Sequence, residues 1–115
     1  MKDFLNKMVI IRTYSAGVHF GMLESLEQKE AVLKNSRRIW SWQGALTLNE
    51  IAENGLDLGK SVISEPVSLI LLTEVIEVII INKKSNIYQI KEKKWQKRKE
   101  WQEYWLWGKQ LTTAI

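Results

Sequence analysis

The chain has no cysteine, one histidine and one proline. Without cysteine there are no disulfides and no thiolate metal sites, which suits a reducing compartment. His19 has no second imidazole with which to share a metal ion. No apolar run is long enough to span a bilayer, and the longest, Val75 to Ile81, is interrupted by Glu77. The first residues, Met1-Lys-Asp-Phe-Leu-Asn-Lys7, lack the apolar stretch of a signal peptide. No phosphate-binding glycine loop, nucleophile elbow or metal-ligand cluster can be found. Glu74 and Glu77 stand an odd number of positions apart on one extended stretch, so they face opposite sides and form no acid–base pair. The expectation is a soluble cytoplasmic protein that is not an enzyme and uses no metal, cofactor or membrane.

What remains is enough for one domain. The chain has 115 residues, 45% of them hydrophobic, and a net charge of +4. That charge is unevenly placed. Residues 1–81 carry 8 Lys and Arg against 10 Asp and Glu, a balance of −2, while residues 82–115 carry 9 against 3, a balance of +6. Any anion site in the first part must therefore be local. Residues 1–81 are expected to form the domain and 82–115 a basic, Trp-rich C-terminal tail. A cut after Ile81 or Asn82 is expected to leave a folded unit.

The domain reads as all-β. Val9 to Tyr14 is a β-branched alternating strand. Ser15-Ala-Gly17 is a turn in which Gly17 can supply a positive φ. In the next strand Val18, Phe20 and Met22 face one way and His19, Gly21 and Leu23 the other. Gly21 marks a sharp bend or a close backbone approach. Glu27-Gln-Lys-Glu30 is a polar turn, followed by short strands over 31–35 and 38–42. Thr47-Leu-Asn-Glu50 fits a capping box, with Leu48, Ile51 and Ala52 at helical spacing and Asn54-Gly55 as the stop. Pro66 belongs at a strand edge or start. Leu69 to Ile81 is long for one strand, so a bend or bulge is expected near Thr73-Glu74. Asn82 to Asn86 reads as a turn, and Lys91 to Ile115 has the propensity of a helix.

Two resemblances enter here. Gly21-Met-Leu-Glu24-Ser25-Leu-Glu27-Gln28, followed by Leu33-Lys34-Asn35, is similar to the pattern of the Sm-like RNA chaperone Hfq. That likeness implies a small SH3-like barrel assembling into rings by edge-strand pairing. It does not carry over that family's RNA-binding residues beyond the Gln28 position, because Lys29 stands where a base-stacking aromatic is usual. The second likeness runs over residues 9–80. Arg12-Thr-Tyr-Ser-Ala-Gly17, Arg37-Arg38-Ile-Trp40 and the stretch at 72–77 resemble short, uncharacterised phage and prophage proteins with a TYSAG motif and an ARR-Ile/Leu-Trp motif. Ser36 replaces the alanine of that second motif. This likeness implies a phage origin, hence the cytoplasm of a bacterial host, and no established activity.

The candidate ligand-binding residues are Arg12, Tyr14, Ser15, Arg37, Arg38, Trp40 and Trp42. Guanidinium forks and flat aromatic faces suit phosphates and bases. Adjacent strand residues point oppositely, so one of Arg37 and Arg38 faces any given site. The competing reading makes the arginines a solvated strand end paired to Glu24 or Glu30. It makes Trp40 and Trp42 barrel core or subunit interface, as burial statistics favour. His19 reads as structural. The expected fold is thus an SH3-like or Sm-like β-barrel with one short inserted helix. It forms a homo-oligomer that captures a small anionic nucleotide, a signal of host defence. RNA or single-stranded DNA binding, and a structural phage component without ligand, are the alternatives.

Overall fold

The computed structural model describes residues 2–88 and 90. They form β1 (Met8–Thr13), β2 (Val18–Glu27), β3 (Glu30–Ser41), α1 (Leu48–Asn54), β4 (Val62–Ile63), β5 (Val67–Leu72) and β6 (Val75–Ile80). The six strands make one antiparallel sheet, in the order β4-β3-β2-β1-β6 with β5 also paired to β3. The mainly β expectation with one short helix therefore holds. The closed barrel does not. β5 and β6 are separated by the corner at Thr73-Glu74, where the bend was expected, and go to different partners, β3 and β1. No ladder joins them, so the sheet stays open between its end strands. The expected helical tail over 91–115 lies outside the described residues.

β3 is a second correction. The two short strands expected over 31–42 are one strand of 12 residues. Asn35 takes a left-handed φ of 50° within it, and the β2–β3 register shifts between Phe20 and Met22. The strand bends there without ending. Gly21 lies opposite the bend, where a Cβ would fall 2.8 Å from the Lys34 carbonyl oxygen and 3.0 Å from Ser36 Cα. Both obstacles are backbone and cannot swing aside. Gly21→Ala should therefore cost about 1–3 kcal/mol of stability, the usual effect of overpacking. Denaturant unfolding with an unchanged midpoint would rule this account out.

Both faces of the central strands are covered. On one face Ile10, Phe20 and Ile39 join Leu48, Ile51, Ala52, Leu56, Ile63, Ile81 and Ile87 in a helix-side core. On the other, Val9, Ile11, Leu23, Ala31, Leu33 and Leu72 form a second cluster as the sheet curls over itself. The polar turn at Gln28-Lys29 is tied to this curl, because Val75 N–H donates to the Lys29 carbonyl at 2.9 Å. A helix of seven residues is too short to stand alone. Packing of Leu48, Ile51 and Ala52 holds it, and its caps fix its ends. Thr47 Oγ1 accepts from Glu50 N–H at 3.2 Å, and Gly55, at φ 94°, donates to the Ile51 carbonyl at 2.9 Å. Glu50 reaches back to Leu46 N–H at 2.6 Å, one residue before the expected one.

The packed unit extends beyond the boundary expected at residue 81. Ser85 Oγ donates to the Ile51 carbonyl at 2.7 Å, and Asn86 Oδ1 accepts from Leu56 N–H at 3.0 Å. Ile87 is wholly buried in the helix-side core. Among the described residues no helix is long and apolar enough to cross a membrane.

Candidate anion and aromatic groove on strand β3

The β2–β3 ladder sets His19 beside Arg38 and Phe20 beside Arg37. Because neighbours alternate, the two arginines part. Arg37 turns inward, is 5% exposed and places Nη1 3.5 Å from the Ser64 carbonyl. It is engaged within the domain, as a buried guanidinium must be. Arg38 turns outward and is exposed. Its backbone is pinned to Ser64, whose Oγ accepts from Arg38 N–H at 2.7 Å and whose N–H donates to the Arg38 carbonyl at 2.8 Å. Among the described residues, its guanidinium has no salt bridge.

Beside Arg38 lies an open groove of about 410 Å³, within the size range of small-molecule sites. Its lining includes His19, Ser36, Arg37, Arg38 and Trp40, with Ser64, Glu65, Val67 and Ile70. Trp40 is 69% exposed, so it lies outside the core of this domain. Trp42 fares differently. It follows the end of β3, past an irregular register between Ile39 and Ser41, and packs against the helix-side core. The two tryptophans therefore do not form one platform.

Ser36 is the unusual member. It is 2% exposed, and its Oγ has no hydrogen-bond partner. A buried hydroxyl left unpaired costs about 1–3 kcal/mol, so such a group calls for an explanation. Here its side chain borders the groove with the outward arginine.

His19 is buried at the groove wall, with Nε2 2.9 Å from the Ala16 carbonyl. That contact assigns the Nε2–H tautomer in the neutral ring. Burial holds its pKa below the ordinary 6.5; the Ala16 hydrogen bond opposes this and the Arg38 charge adds to it. The unfolded chain thus takes up a proton before the folded one does. This contribution to stability is complete above pH 6.5 and is lost as pH falls through the folded pKa. An anion in the groove should raise the His19 pKa, so its affinity should strengthen on acidification from neutral pH. Thermal unfolding and titrations across that range test both signs, with His19→Gln as the control that should flatten them.

The remaining sequence candidates lie elsewhere. Arg12 is ion-paired to its cross-strand neighbour Glu77 at 3.3 Å and belongs to the opposite face of the sheet. Tyr14 is 79% exposed, and its N–H donates to the Glu74 carbonyl at 2.9 Å. Ser15 Oγ donates to the Glu74 carboxylate at 2.5 Å. These contacts fasten the turn to the β5–β6 corner. Of the seven candidates, the groove gathers Arg37, Arg38 and Trp40. His19, Ser36, Ser64 and Glu65 were not among the sequence candidates. Ser36 alone carried a signal, as the serine that replaces alanine in the Arg37-Arg38-Ile-Trp40 motif.

Fold and groove together define a small β-rich domain with an open six-stranded sheet and a ligand-sized cleft on β3. The chain belongs to the family described as Domain of unknown function (DUF6948), whose model matches residues 6–87. That span coincides with the packed unit and includes Ile87. No characterised protein matches the chain.

Proposed function

We propose that this domain is a non-catalytic binding protein for a small anionic nucleotide. The observation that carries the reading is the groove where the exposed Arg38 and Trp40 border the unpartnered Ser36 hydroxyl. Arg38 offers a permanent fork to phosphate, Trp40 a face for a base, and Ser36 one hydrogen bond once its hydroxyl turns from its closed position toward the groove. The nucleotide follows from the arginine and aromatic chemistry, and the likeness to phage proteins supports reading it as a host-defence signal that the protein sequesters. The strand order is compatible with an Sm-like barrel left open at one seam.

The protein acts as a homo-oligomer. Val67, Leu69 and Leu71 alternate along β5 and are 47%, 59% and 57% exposed. Val67 also lines the groove. A second copy laid on this apolar row would cover the mouth of the site.

Native mass spectrometry of protein taken from cells should show an oligomer with a bound nucleotide. Calorimetry against linear and cyclic nucleotides and a short RNA should then give heat with a nucleotide, with an affinity that falls gently with salt. RNA crossing many basic groups would show a steep dependence. Silence from every nucleotide beside tight RNA binding would replace this reading with an Sm-like RNA binder. Silence from both would favour a structural phage component.

A further inference from the structure

We propose that the groove on β3 takes a nucleotide with one base and one singly charged phosphodiester, the chemistry of a cyclic mononucleotide. This rests on the nucleotide reading above and narrows it by charge. Two guanidiniums, Arg37 and Arg38, and one carboxylate, Glu65, line the groove, and no lysine does. His19 also lines it, and burial lowers its pKa, which keeps it neutral at pH 7. The lining therefore carries a balance of +1. Arg37 is buried, and Arg37 and Glu65 are both engaged by other groups. Arg38 is exposed and makes no salt bridge among the described residues, so the uncompensated charge sits on its fork.

A guanidinium fork donates two parallel hydrogen bonds. A phosphodiester offers two unesterified oxygens and a single charge, so fork and ester match in number and in sign. A terminal phosphate carries about −1.5 to −2 at pH 7, and a triphosphate considerably more. Its excess charge would share the groove with the exposed Glu65 carboxylate and find no second available cation in the lining. The base count follows from the aromatic side chains. Trp40 is the one indole or phenyl ring in the lining, while Trp42 packs against the helix-side core. A cyclic dinucleotide would leave its second base without a stacking face. A volume of about 410 Å³ lies near the lower end of the ~300–1,000 Å³ typical of small-molecule sites, which suits one nucleotide unit.

The test is calorimetry on the full chain, with adenine, guanine, cytosine and uracil forms of each probe. The probes are 3′,5′- and 2′,3′-cyclic mononucleotides, the nucleoside, its 5′-monophosphate and 5′-triphosphate, and a cyclic dinucleotide. A cyclic mononucleotide should bind about tenfold more tightly than the nucleoside, the triphosphate or the dinucleotide, and more tightly than the monophosphate. Whichever cyclic form binds better identifies the source of the ester. Arg38→Gln should erase the preference over the nucleoside while the unfolding midpoint stays in place, because the fork that reads the ester is gone. Tighter binding of the monophosphate or triphosphate would show that cations from outside the groove reach the ligand. That result, a preferred dinucleotide, or a preference over the nucleoside that survives Arg38→Gln would each overturn this proposal and leave the nucleotide reading standing. No heat from any probe would overturn that reading and this proposal with it.

Discussion

Ending the chain after Asn82 should leave a protein that does not fold, whereas ending it after Ile90 should leave the domain intact. The shorter cut removes Ile87, which has no solvent exposure, from the helix-side core. It also removes Ser85 Oγ from the Ile51 carbonyl and Asn86 from Leu56. Emptying the Ile87 site alone should cost about 2–5 kcal/mol, as isoleucine truncations in cores do. Small domains have only about 5–15 kcal/mol in total. Adding the orphaned backbone groups exhausts that margin. Circular dichroism and urea unfolding of the two truncations, with Ile87→Ala in the full chain, give the comparison. A cooperative transition in the shorter fragment would restore the boundary expected at residue 81. Loss of folding in the longer one would show that later residues also cover the core.

The elements legible in the sequence are those fixed by local chemistry. Alternation of β-branched residues gave β1, and the Thr47-to-Glu50 spacing with Gly55 gave α1 and both its caps. Gly21 signalled a close approach because a missing side chain inside a strand has few other reasons. What could not be read depends on partners far along the chain. Asn35 carries β3 through a left-handed residue where a strand end was expected. Whether β5 and β6 meet is decided by the corner at Thr73-Glu74 and by which strand each finds, not by the pattern of either.

The groove was half legible for the same reason. Alternation required Arg37 and Arg38 to part, but only the register opposite His19 and Phe20 shows which turns outward. Trp40 and Trp42 look equivalent in sequence, yet the strand ends between them at Ser41. The hydroxyl of Ser36 became meaningful only once its burial without a partner was known.

Substitutions along β3 should therefore separate binding from folding. Arg38→Ala should weaken the nucleotide by about 1.5–3 kcal/mol, the worth of a hydrogen bond to a charged group. Trp40→Ala should cost about 1–3 kcal/mol of binding through lost stacking. With Trp40 69% exposed, that variant should keep its unfolding midpoint. Ser36→Ala removes a hydroxyl that has no partner in the free protein. It should leave stability unchanged or raise it while the ligand is held less tightly, a combination that a packing defect does not produce. Arg37→Ala should act the other way, because it disturbs a buried, engaged guanidinium and so lowers stability first. Calorimetry and thermal unfolding on the four variants read the two effects apart. If Trp40→Ala and Arg38→Ala lower the melting temperature as much as Arg37→Ala does, β3 is scaffold along its whole length and the groove is not a ligand site.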